Sequence, residues 1–359
     1  KINGMYAFCY YDKLAKKLWL VRDRLGQKPL FYSLGKKGIT FASSIELVKK
    51  VANKENYTIN QEALVFYFSA FYIPAPLTIY NEIKSVNPGE CIVYDLSSKE
   101  LEKISYWKIP RHQTNKKNDF DQTFQDATIT RMLSDVPIGN FLSGGIDSSL
   151  VVQTMAEGGV KNVQTYTAEI QDSLNESEYA NIVAQKFKTE HRSICVDKDI
   201  FSIQLIRRLV KAFGQPFADS SIIPTHKVCQ LISNYVTVAI SGDGADELFM
   251  GYDKYRKKNN FESTVFRNTD LSFFSEKPNT TATEVVRKII PDFESLEGLE
   301  KIRAFDARIF LEGDILQKVD RLSMESSLEV RSPFLDHRVC EFAMSLSEQD
   351  LVSDDNGKV

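Results

Sequence analysis

The chain has 359 residues, 43% of them hydrophobic and 26% charged, with a formal net charge of −3. That is more chain than one hydrophobic core usually supports, so two domains are expected. No apolar run is long enough to span a bilayer, and the basic residues lie among acidic ones, which excludes membrane insertion and the electrostatic footprint of a nucleic-acid binder.

From residue 1 to about 110 the pattern is strands and turns. Gly4 to Tyr11 and Leu18 to Val21 read as strands, with turn chemistry at Arg24-Leu25-Gly26-Gln27-Lys28-Pro29 and Asn87-Pro88-Gly89-Glu90, and one helix near Gln61 to Phe68. The polar, aperiodic stretch 111–119 marks a boundary, so the expected domains are 1–110 and 118–359. Beyond it strands alternate with helices. A strand at 138–142 runs into a glycine loop and a helix; strands follow at 163–167, 191–196 and 236–240, and helices at 177–187, 201–213 and 224–232. This alternation predicts an α/β fold with a parallel sheet and right-handed crossovers, whose ligands sit at the carboxyl ends of the strands. The five cysteines, at 9, 91, 195, 229 and 340, show no metal or disulfide spacing and read as mostly buried, reduced thiols of a cytoplasmic protein. Strands without a complete sheet at the start, and a turn signal at the end, suggest a piece of a longer protein.

In Leu142-Ser143-Gly144-Gly145-Ile146-Asp147-Ser148-Ser149 a strand passes to a helix through two glycines. Main-chain N–H groups can then turn around an anion at a helix N-terminus, and the serine hydroxyls add donors. A carboxylate at Asp147 suits this place if Mg²⁺ bridges it to phosphate oxygens. An ordinary capped helix is the plain alternative. The second loop, Ser241-Gly242-Asp243-Gly244-Ala245-Asp246-Glu247, sets acids after a strand, with Asp243 and Asp246 close enough to share a ligand across one helical turn; acids favouring a helix dipole are its plain alternative. Asp147 and Asp246 are the expected metal ligands.

The first loop resembles the PP-loop of ATP pyrophosphatases, and the chain as a whole resembles the glutamine-hydrolysing asparagine synthetases. The resemblance rests on both loops and on Arg22-Asp23-Arg24-Leu25-Gly26-Gln27-Lys28-Pro29, Tyr72-Ile73-Pro74-Ala75-Pro76, Pro216-Phe217-Ala218-Asp219-Ser220-Ser221, Lys318-Val319-Asp320-Arg321-Leu322-Ser323-Met324 and Leu328-Glu329-Val330-Arg331-Ser332-Pro333-Phe334-Leu335-Asp336-His337. It implies a parallel-sheet PP-loop synthetase domain preceded by the β-rich remnant of an Ntn-type glutaminase. It also implies ATP and Mg²⁺ as cofactors, with L-aspartate and ammonia or glutamine as partners; a homodimer is kept open.

Carried over by position, Leu142, Ser143, Gly144, Gly145, Asp147 and Ser148 would hold ATP, Ala168 would line the adenine pocket, and Ser241 and Gly242 would contact the nucleotide. Asp243, where many relatives have Glu, would act in forming the acyl-adenylate. The family's lysine for the pentavalent phosphorus is expected beyond Val359. The family's N-terminal cysteine nucleophile has no match; Cys9 reads as core, so this chain alone is not expected to hydrolyse glutamine. Asp320, Arg321, Glu329 and Arg331 are candidates for ordering the substrate, or else an ion-pair cluster, and His191 and His337 read as structural. An amidotransferase for another carboxylate, such as a uronic acid or a peptide side chain, and a non-catalytic nucleotide-binding module are the rival readings.

Overall fold

The computed structural model describes residues 2–36, 38–53, 56–111, 119–170, 176–196, 202–256, 260–267, 278–353 and 357–358. Its N-terminal region builds two antiparallel sheets. One has the order β1 (Ala7–Asp12), β2 (Lys17–Arg22), β6 (Glu90–Asp95), β7 (Leu101–Ser105); the other places β3 (Phe31–Gly35) between β4 (Gly38–Ala42) and β5 (Lys84–Ser85). Side chains alternate across a strand, so Leu20 and Ile92, paired in register, fall on one face and pack with Leu30, Tyr32 and Val86. Helices α1 (Ile45–Ala52) and α2 (Gln61–Ala70) complete this part. The α2 helix falls where the sequence places one, started by Asn60, whose side chain accepts from the Ala63 N–H.

The C-terminal region is built on a five-stranded sheet, parallel throughout, of order β10-β9-β8-β11-β12. The strands are β8 (Ile138–Phe141), β9 (Gln164–Ile170), β10 (Glu190–Val196), β11 (Val238–Ile240) and β12 (Glu329–Arg331). Helix α3 (Phe120–Arg131) leads into β8, and α4 (Ile146–Glu157), α5 (Glu176–Phe187), α6 (Ile203–Phe213) and α7 (Ile222–Ile232) join successive strands, so the expected α/β class is what forms. Central strands carry apolar side chains on both faces because both are covered. Ile240 packs with Phe124, Val151 and Met155 on one side, and Ala239 with Cys229, Ile232 and Leu328 on the other. From β8 the chain steps outward to β9 and β10, then returns to add β11 on the other flank of β8. The strand order therefore reverses between β8 and β11, where an open parallel sheet leaves a crevice for ligand.

One expectation needs correction. Cys9 is not core: it is exposed on β1, which stands at the outer edge of its sheet, and Cys195 is exposed too, while Cys91, Cys229 and Cys340 are buried. The segment around Glu329 and Arg331 forms a strand, β12. The sequence also did not reveal that α8 (Ala245–Phe249), α9 (Phe261–Val265), α10 (Ala282–Ile289) and α11 (Gly298–Phe305) lead into an eleven-residue π-helix, Asp306–Leu316, which continues without a break into α12 (Gln317–Met324). A π-helix of this length is rare, and such segments gather at functional sites. This one carries buried carboxylates at Asp306, Glu312 and Asp314.

Candidate active site

The two glycine loops meet. Asn140 and Ile240 are paired in register at the carboxyl ends of β8 and β11, so the loops that follow leave the same edge of the sheet side by side. A Cβ on Gly242 would lie 3.2 Å from Asp147 Cβ and 3.4 Å from the Ser148 nitrogen. Both loops line one cavity of about 480 Å³, together with residues of α7 and of the π-helix and α12.

The first loop is anchored from below. Leu142 is buried, its N–H donates to Tyr166 O at 2.9 Å, and its carbonyl accepts from the Thr167 hydroxyl. It holds the strand end in place and does not itself line the cavity. Gly144 has φ +81°, and a Cβ there would sit 2.5 Å from the Ala180 nitrogen. The turn thus requires glycine both for its backbone angle and for close approach of α5. Replacing Gly144 by Ala should cost about 1–3 kcal/mol, read as a lower denaturant midpoint with unchanged slope. Ser148 Oγ donates to Gly145 O at 3.2 Å and lies 3.0 Å from Ser143 Oγ, while the Gly145 N–H donates to Ser143 Oγ at 3.2 Å. These bonds shape the loop, and Gly145, the N-cap of α4, has no side chain to cap that helix. Asp147 stands in the first turn of that twelve-residue helix, and Ser143, Asp147 and Ser148 line the cavity.

In the second loop Ser241 Oγ donates to Asp243 Oδ2 at 2.7 Å, and Asp243 O accepts from Ser332 Oγ at 2.7 Å. Burial pushes the Asp243 carboxyl up, and the Ser241 bond and the Lys318 charge counter it. Gly244, φ +90°, is the N-cap of α8, so Asp243 precedes the helix and only Asp246 and Glu247 lie in its first turn. Asp243 and Asp246 nevertheless border the same cavity, and Ser241 and Gly242 border it with them. Ala168 does not line it; the residue lies on β9, next to Thr167, on the far side of β8 from the second loop.

Several lining residues carried no assigned role in the sequence. Glu247 is buried, accepts the Tyr252 hydroxyl, and has its carboxyl pushed up by burial to about 7, the Tyr252 bond acting against that shift. Lys318 is the one cation among the described residues lining the cavity. Its ammonium pairs with Asp219 and lies 3.8 Å from Asp314 Oδ1. Burial works against its charge, but Asp314 and Asp219 outweigh burial and hold its pKa above the usual lysine value. The signal for Lys318 was its place in a motif; its burial depends on Asp219, 99 residues earlier.

Other candidates lie elsewhere. Asp320 pairs with Lys28 at 2.8 Å, and Arg321 donates to Ser43 O at 2.8 Å, both contacts to the N-terminal region. Glu329 and Arg331 pair with each other at 2.6 Å on β12, and Arg331 also donates to the carbonyls of Arg131 and Leu133. None of the four lines the large cavity. His191 Nδ1 lies 2.9 Å from Thr165 Oγ1, and His337 Nδ1 lies 3.5 Å from Asp336, as structural residues would.

Residues 119–359 match the family model described as asparagine synthase. The chain belongs to the asparagine synthase family. Residues 1–107 match the model of a glutamine amidotransferase domain. Among relatives, the chain is similar to a putative asparagine synthetase [glutamine-hydrolyzing] 2 of Methanocaldococcus jannaschii, 36% identical, over 70% of this chain and 50% of that protein. It is also similar to asparagine synthetase [glutamine-hydrolyzing] 1 of Bacillus subtilis, 28% identical, over 97% of this chain and 63% of that protein. The chain thus spans between half and under two thirds of the length of these two members of the asparagine synthase family. No helix among its described residues is long and apolar enough to cross a membrane.

Proposed function

We propose that residues 118–359 form a synthetase domain that amidates L-aspartate through β-aspartyl-AMP with release of pyrophosphate, and that residues 1–110 belong to the glutaminase supplying ammonia. The observation that carries this reading is the meeting of the two glycine loops over one cavity at the point where the strand order reverses. Ammonia cannot displace oxide from a carboxylate, so that oxygen must first become a leaving group. Attack of an aspartate carboxylate oxygen on the α-phosphorus of ATP forms a new P–O bond and expels pyrophosphate. Ammonia then attacks the acyl carbon, AMP leaves, and a proton is lost to give the amide.

Each part of the cavity suits one of these tasks. Main-chain N–H groups of Ser143 to Ser148 and the N-terminus of α4 receive the phosphates, and the hydroxyls of Ser143 and Ser148 border the same space. The Gly242 backbone lies so close to Asp147 that any side chain there would intrude on the phosphate-binding edge. Ala168, placed on β9 across β8 from the second loop, fits an adenine lying to that side while the phosphates turn toward β11. Asp243, held by Ser241, faces the forming acyl-phosphate.

Mg²⁺ fits Asp147 and Asp246. Both offer hard oxygen donors into one cavity, and no group of three or more metal-binding side chains is preassembled among the described residues. That donor set suits an ion held by one or two carboxylates and completed by substrate phosphates. When bound, the ion offsets the charge that builds on the pyrophosphate leaving group.

The intact protein should exchange labelled pyrophosphate into ATP only when L-aspartate is present. Exchange driven by a uronic acid or another carboxylate but not by aspartate would overturn the acceptor assignment. ATP binding without exchange on any carboxylate would indicate a non-catalytic module.

A further inference from the structure

The cavity is acidic on its phosphate side, with Asp147, Asp243, Asp246 and Glu247 all along its wall. An acceptor that is itself an anion would be repelled there unless something opposite drew it in. Lys318 is the one cation among the described lining residues, and it comes from α12, on a different wall from the two glycine loops. Apolar side chains of Ile315, Val319, Pro224 and Val228 line the cavity with it, which lowers the local dielectric and strengthens any ion pair made there.

Lys318 is held rather than free to swing. Asp219 pairs with its ammonium, and Asp314, one helical turn earlier, stands 3.8 Å away. Burial pushes the Asp314 carboxyl up to about 8, with Lys318 acting against that shift and Asp219 adding to it, so Asp314 offsets the ammonium less than Asp219 does. Asp219 remains ionised, since Lys318 and the Ser221 N–H outweigh its burial. An ammonium has three donors, and the Asp219 contact uses one. Lys318 lines the cavity, so the other donors can serve an anion that enters it.

We propose that Lys318, fixed by Asp219 and Asp314, receives the non-reacting carboxylate of the acceptor and so selects a short acceptor bearing two carboxylates. The reacting carboxylate then lies toward the glycine loops and the second one at the α12 wall. This inference rests on the amidation reading above. It adds a reason why an amino dicarboxylate is taken in preference to a monocarboxylate.

The test compares L-aspartate with β-alanine, which keeps the amine and the carboxylate to be activated but lacks the α-carboxylate. In the intact protein, Lys318→Gln should lower kcat/KM for aspartate-driven pyrophosphate exchange by about 10- to 100-fold, the worth of a charge-assisted hydrogen bond, mostly through KM. The KM for ATP should stay unchanged, which also shows that the site is folded. Use of β-alanine, read as exchange or as competition with aspartate, should not change, and Lys318→Arg should restore most of the aspartate activity. Equal losses on both acceptors, a raised KM for ATP, or no loss on aspartate would each overturn the proposal. Absence of aspartate-driven exchange in the unmodified protein would instead overturn the amidation reading, and this inference with it.

Discussion

Replacing Asp147 by Asn should lower aspartate-dependent pyrophosphate exchange by roughly a hundred- to a thousandfold, the usual loss when one group that stabilises transition-state charge is removed. Asparagine has nearly the same shape, so the tight contact between Gly242 and residue 147 survives. The change removes one negative charge from the first turn of α4, which costs only about 0.3–1 kcal/mol through the helix dipole. Folding and catalysis are therefore separable: the unfolding midpoint should barely move while turnover collapses. Titrating Mg²⁺ gives a second readout. If Asp147 holds the ion, the variant should need more Mg²⁺ for half-maximal exchange, and a loss of turnover with an unchanged Mg²⁺ requirement would assign Asp147 another role.

The second large effect is on stability, at the contact between the N-terminal region and the π-helix. Arg22 and Glu312 form an ion pair of 2.9 Å with both side chains almost wholly buried, 2% and 4% exposed. Arg22 also donates to the carbonyls of Gly26, Lys28 and Val86, and Glu312 accepts from the Ala75 N–H. Arg22→Met alone leaves a buried carboxylate without its cation and should destabilise the protein by about 3–5 kcal/mol. The double change Arg22→Met with Glu312→Leu removes both charges and should recover much of that loss, because well-packed apolar side chains often replace a buried pair at little cost. A double-mutant cycle in denaturant measures the coupling, and additive single effects would show that the pair contributes nothing as a pair.

The legible parts of this molecule were those whose cause is local. An apolar strand followed by glycines and a helix start is written in a few adjacent residues, and both loops were found that way. Alternation of strand and helix likewise gave the parallel sheet, because a crossover connection between parallel strands needs room for a helix. What stayed hidden depends on partners far along the chain. No local pattern pairs Glu312 with Arg22, 290 positions earlier, or Lys318 with Asp219. The π-helix has no distinct spacing signal, since its apolar residues satisfy an α-helical pattern over so short a stretch. Cys9 was misplaced because a strand's alternation tells which residues share a face but not whether that face is covered.

Lys318 lies on the α12 wall of the cavity, paired with Asp219. The helical run that carries it reaches both regions: Glu312 and Asp320 pair with Arg22 and Lys28 of the N-terminal region, and Ile315, Lys318 and Val319 line the cavity. The cavity wall that carries Lys318 thus belongs to an element that also contacts the N-terminal region.

A grip of two loops on one triphosphate is tested most directly by amide hydrogen exchange with and without Mg²⁺-ATP. Nucleotide should slow exchange at 143–149 and at 241–247 together, over the same ATP concentrations. Protection of the first loop alone, with the second unchanged at saturating nucleotide, would contradict it.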